Sequence, residues 1–103
     1  MGRLSGIVNA EGQMASNTSN NKFGWSSKII GPGTVRITFG RPFKEVPTVL
    51  AQVMNYDAEG EQQSLNYGII ATKEYTDIEV WSTSKGSIHL TLGFAAFGDI
   101  SES

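Results

Sequence analysis

Asp57, Glu59 and Glu61 alternate along one short polar stretch of the chain. Three carboxylates so spaced could offer Ca2+ the hard oxygen ligands it takes. The Asp/Asn-rich spacing of a calcium loop is missing, however. A solvated acidic loop is therefore the simpler reading, and no metal site is expected. His89 is the only histidine, and cysteine is absent. Zinc sets and thiol chemistry cannot be completed from those residues. The sequence holds no G-x-S-x-G elbow, no phosphate-cradling glycine loop and no H-E-x-x-H pair. A glycosidase would need two carboxylates about 5–10 Å apart across a cleft, and a sandwich of this length has little room for one. The chain reads as non-enzymatic, with no cofactor.

Aromatic residues give a better lead. Sugar rings stack on aromatic faces while nearby polar atoms take their hydroxyls. Trp81 is followed by Ser82, and Tyr56 and Tyr75 adjoin loops carrying Asp57 and Asp77. Trp81, Tyr56, Asp57 and Tyr75 are therefore the candidate ligand-binding residues. The competing reading of Trp81 is packing beneath a loop, because large aromatic side chains are mostly buried. Phe39 and Phe43, on either side of Pro42, are expected in the core.

The elements that must position these residues are strands. Val35, Ile37 and Phe39 alternate with Arg36, Thr38 and Gly40, which places one face inward. Ile78 and Val80 alternate with Asp77, Glu79 and Trp81. From Ile88 to Phe97, the side chains of Ile88, Leu90, Leu92, Phe94 and Ala96 share one face. Ser5–Asn9, Phe23–Ile30, Thr48–Asn55 and Ser64–Thr72 complete about seven strands separated by turn-rich breaks. Gly31-Pro32-Gly33 interrupts pairing, since proline lacks the N–H and glycine allows positive φ. Ser82–Ser87 reads as a hairpin turn. The segment 10–22 is small, polar and without alternation, and is expected to be a loop. It contains the sequon Asn17-Thr18-Ser19, which such an Asn/Ser-rich stretch produces by chance. No stretch keeps helical periodicity. The expected architecture is a single all-β domain over residues 1–103, an antiparallel, jelly-roll-like sandwich with very little helix.

Composition agrees. The 103 residues carry 8 basic and 10 acidic side chains, a net charge of −2, and 12 glycines. Nucleic-acid binding needs a basic stripe that this balance does not supply. No segment approaches the ~18 consecutive apolar residues of a membrane-spanning helix, so no membrane insertion is expected. The stretch Met1–Gly6 lacks a signal peptide's apolar run. An extracellular role would then be reached by another route, such as assembly into a particle.

Thr48–Asn55 is apolar on both faces, with Val49, Ala51 and Val53 on one and Leu50 and Met54 on the other. In a two-layer sandwich the outward face normally meets water and is polar. Ala95 and Phe97 repeat the anomaly opposite Phe94 and Ala96. Such faces call for a second covering layer. In a chain this short another copy is the economical source, and a loop such as 10–22 is the alternative. The candidate interface residues are Leu50, Met54, His89 and Phe97.

Several motifs carry a family likeness. Gly6-Ile7-Val8-Asn9-Ala10-Glu11-Gly12 has the form G-x-V-x-x-x-G and is followed by Phe23-Gly24-Trp25-Ser26. A Gly33-Thr34-led strand comes next. Phe39 to Val49 then reads F-x-x-P-F-x-x-x-P-x-V, and Phe94 to Gly98 closes as F-x-x-x-G. This order resembles the small β-rich C-terminal domains of bacteriophage tail fibres and related bacterial fibre or collagen-like proteins. The Phe39–Val49 stretch is also similar to H-type lectin domains, although the C-terminal third departs from them and no sugar-binding triad matches. The resemblance implies a homotrimeric sandwich at a fibre tip, virion-borne or extracellular, used for attachment to a cell-surface carbohydrate or for assembly alone.

Overall fold

The computed structural model of the chain describes residues 2–54, 65–82, 86–87 and 91–101. Tyr56, Asp57, Glu59, Glu61 and His89 lie outside the described residues. The strands are β1 (Gly2–Val8), β2 (Met14–Asn17), β3 (Trp25–Gly31), β4 (Thr34–Phe39), β5 (Thr48–Val53), β6 (Leu65–Ala71), β7 (Tyr75–Ser82), β8 (Gly86–Ser87) and β9 (Leu92–Gly98). No helix occurs among the described residues. One layer runs β2-β1-β9-β5 and the other β3-β4-β7-β6, with the two-residue β8 paired to β7. All pairings are antiparallel. The architecture is the antiparallel β-sandwich expected from the alternation.

Period two explains the core. Val35, Ile37 and Phe39 on β4, Ile78 and Val80 on β7, and Leu92, Phe94 and Ala96 on β9 turn inward and are buried. Leu4 and Val8 on β1 face them from their own layer, and Trp25 enters from β3. Val49, Ala51 and Val53 of β5 pack against this cluster from the layer's edge. Phe39 and Phe43 meet edge to face at 5.0 Å, so both aromatics around Pro42 are core, as expected.

One expectation changes. The segment 10–22 is not a loop throughout, since β2 pairs with β1 through Gly6↔Asn17 and Ile7↔Ser16. Beyond β2, polar side chains finish the same edge. The Arg3 amide donates to Asn20 Oδ1 at 2.7 Å and the Ser5 amide to Ser19 Oγ at 3.1 Å. Asn and Ser oxygens thus stand in for absent ladder carbonyls, which is why a strand edge can be closed without apolar alternation. β9 covers the larger part of the strand expected over Ile88–Phe97, and β8, at the end of the expected Ser82–Ser87 turn, pairs back onto β7 through Trp81↔Ser87 and Ser82↔Gly86. Ile88 and Leu90, expected on that strand, lie outside the described residues. Gly31-Pro32-Gly33 ends the strand as expected, and the chain turns there from β3 into the antiparallel β4 with Gly33 at φ 67°.

Candidate functional site

The outward face of the β3-β4-β7-β6 layer carries the two candidates that are described, Tyr75 and Trp81. Along β7, Tyr75, Asp77, Glu79 and Trp81 alternate with the buried Thr76, Ile78, Val80 and Ser82. Register then decides their neighbours. Asp77 lies across from Arg36 on one side and Ile70 on the other, and Glu79 across from Thr34 and Gly68. Directly opposed residues in an antiparallel pair share a face, so these side chains meet.

The middle of the face is an ion pair. Arg36 Nε donates to Asp77 Oδ1 at 2.8 Å, and its second nitrogen donates to Oδ2 at 2.9 Å. The guanidinium also lies over the Tyr75 ring, 4.0 Å from its centroid. The hydrogen bond to Asp77 raises the Arg36 pKa above its ordinary value, with desolvation working against it. The fork fixes Asp77 in place, but the pair is partly exposed and contributes little stability. Asp77→Asn is accordingly expected to move the chemical denaturation midpoint only slightly, a small loss of stability. A loss several times larger would mean that the face is built around this pair.

Trp81 lies at the far end. It is six residues from Tyr75 on the same strand, roughly 20 Å at strand rise. The two aromatics therefore flank one face and do not form one pocket, and Arg36 already covers Tyr75. Trp81 is half-buried because its ring lies beside Gly68, where a Cβ would stand 3.4 Å from Trp81 Cζ3. Glycine here leaves room for the indole to lie along the sheet. Beside it runs a groove of about 300 Å3 lined by Thr34, Gly68, Ile69, Ile70, Asp77 and Glu79. Thr34 Oγ1 donates to Glu79 Oε2 at 3.2 Å across its floor. Alternation alone does not mark Thr34, Gly68, Glu79 and Ile70 as groove residues, because cross-strand register is not written in either strand alone. Among the described residues no group of three His, Cys, Asp or Glu side chains could hold a metal ion.

The opposite outer face carries the interface candidates. Leu50 lies across from Ala95 and Thr48 across from Phe97. Met54 covers Gly93, where a Cβ would stand 2.8 Å from Met54 Sδ. Three of the four interface candidates thus share one face. Leu50 is 60% and Met54 51% exposed, and Phe97 is half-buried. The 10–22 segment does not cover them, since β2 lies within the layer at the edge away from β5. A polar cavity of about 360 Å3 lies elsewhere, lined by Asn20, Asn21, Phe23, Lys44 and Asp99 among others. Both of its asparagines are engaged with the Arg3 backbone.

Compared with protein-family models, curated proteins and solved structures, the chain matches none.

Proposed function

We propose that this chain is a non-catalytic attachment module. It holds a cell-surface saccharide on the outer face of the β3-β4-β7-β6 layer, and copies assemble as a homotrimer at a fibre tip, on a virion or outside the cell. The observation that carries the reading is Trp81, half-buried beside Gly68 at the margin of a groove with Glu79 and Thr34. An apolar ring face beside fixed oxygens is the combination that a sugar's C–H face and hydroxyls require. The sequence likeness to tail-fibre and H-type lectin domains supports the same role. A single shallow groove binds weakly, and repetition across copies would raise avidity by orders of magnitude.

An array of bacterial and animal surface glycans is the test, followed by calorimetry on any hit. Trp81→Ala is expected to weaken binding at least about tenfold, the equivalent of ~1.4 kcal/mol, with the thermal transition nearly kept. Trp81→Phe should retain part of the affinity. Silence across the array, or a hit that Trp81→Ala leaves intact, would remove the saccharide reading. A purely structural trimerising or capping module is the second reading, and the open apolar face around Leu50 and Met54 favours it. A stable oligomer that ignores every glycan would select it.

A further inference from the structure

Outward side chains of the β3-β4-β7-β6 layer stand in rows, because directly opposed residues share a face. Asn66 lies across from Trp81. The next outward row is Gly68, Glu79 and Thr34, and the one after it is Ile70, Asp77 and Arg36. The groove of about 300 Å3 follows the middle row, which is low. Gly68 has no side chain, and Thr34 is short and donates its hydroxyl to Glu79 Oε2. Trp81 and Asp77, in the bordering rows, are four residues apart, roughly 13 Å at strand rise. Both borders carry apolar surface, the Trp81 ring on one side and Ile70, 62% exposed, on the other. Two groups converge on the glycine. Trp81 Cζ3 lies 3.4 Å and Glu79 Oε1 3.9 Å from the point that a Gly68 Cβ would occupy.

Charge in this groove has one sign. Among the described residues Asp77 and Glu79 line it and no cation does. Arg36, the base in the bordering row, gives two nitrogens to Asp77 and lies over the Tyr75 ring. That fork cancels the Asp77 charge. Lys28 lies across from Arg36 on β3, on the side of β4 away from Glu79. The charge left without a counterion is Glu79, which is exposed. Thr34 holds its Oε2, and among the described residues Oε1 has no partner. A carboxylate oxygen is an acceptor only, so what it requires from a ligand is an O–H or N–H donor.

We propose that the groove selects uncharged saccharides, and that Glu79 is the residue that decides. Its Oε1 accepts from sugar hydroxyls, and its charge rejects sugars bearing a carboxylate, sulfate or phosphate. A neutral sugar offers O–H donors to Glu79 and C–H surface to Trp81 and Ile70. An acidic sugar brings a like charge beside Glu79, and no lining residue pairs with it. This selectivity rests on the saccharide role proposed above and assigns that site its ligand class.

The test is an array that presents neutral oligosaccharides beside their uronic, sialylated and sulfated counterparts, with matched pairs then measured by calorimetry on the full chain. The wild type is expected to bind the neutral member of a pair at least about tenfold more tightly. Glu79→Gln alters an exposed side chain and should bring that ratio close to one, and Glu79→Lys should invert it. Circular dichroism checks that both variants fold. Salt gives a reading without any variant. The wild-type ratio should shrink between about 0.1 M and about 1 M salt, as the Debye length falls from about 10 Å to about 3 Å. A wild type that binds acidic members as tightly as neutral ones overturns the selectivity and leaves the saccharide role standing. A neutral preference that Glu79→Gln and salt both leave unchanged also overturns it, because shape and not charge would then decide. Silence across the whole array removes the saccharide role itself, and this selectivity with it.

Discussion

Trp25→Ala is expected to lower stability by about 3–5 kcal/mol, the usual cost of emptying a buried aromatic site. Trp25 is the largest side chain in the core and bridges the two layers. Its ring meets Phe94 of the facing layer edge-on, at 4.8 Å and 87°. Its Nε1 donates to the Ser5 carbonyl at 3.0 Å. The ring also presses onto β1 at Gly6, where a Cβ would fall 2.4 Å from Trp25 Cζ2. With the indole gone, Ser5 still accepts from the Thr18 amide, so no carbonyl is orphaned. The loss is therefore cavity and contact, not an unpaired polar group. A domain of this size holds only about 5–15 kcal/mol in total, and each kcal/mol moves the transition by about 4–8 °C. Calorimetry should show Tm falling by roughly 12–40 °C. Trp25→Phe keeps an aromatic edge for Phe94 and should recover a large part. A fall of only a few degrees in the alanine variant would mean that the layers are held together elsewhere.

Those contacts show where sequence reading succeeds and where it stops. Alternation reveals which side chains face inward, because a strand's geometry is local: Val35, Ile37, Phe39, Ile78 and Val80 all lie where period two puts them. The outward direction of Trp81 and the two apolar faces of Thr48–Asn55 follow from the same rule. What alternation cannot supply is the partner across the ladder. Nothing in β4 alone says that Arg36 will find Asp77 forty-one residues on, or that Gly68 will lie beside Trp81. β2 leaves no mark in the sequence for a different reason. Met14–Asn17 has no buried face, and it is a strand because β1 needs backbone partners, not because its side chains need burial. Gly6 and Gly40 belong with it. A Cβ at Gly40 would fall 2.0 Å from the Phe23 carbonyl oxygen, a demand made by a distant segment.

Phe43→Ala should cost a similar amount, about 3–5 kcal/mol, but its effect on the native state should be local. Phe43 is almost fully buried and joins three segments distant in sequence. Its amide donates to the Lys73 carbonyl at 2.8 Å, in the turn between β6 and β7. It bridges to Ile100, and on either side the Lys44 amide donates to Asp99 and the Ser101 amide to Pro42. The ring lies against Gly98, whose Cβ would stand 3.0 Å from Phe43 Cδ1. Without the ring, residues 98–101 keep backbone bonds but lose the surface that shields them. Local opening should then become easier than global unfolding. Hydrogen exchange at Lys44 and Ser101 is expected to accelerate far more than at Ile37 or Ile78, whose amides sit in the central strands. Phe43→Leu retains most of the volume and should cost under about 1.5 kcal/mol. Uniform acceleration across all strands would show that Phe43 only fills the core. Selective acceleration would show that it holds the end of β9 against the 42–44 segment, and with it Phe97, next to Gly98 on the outer apolar face.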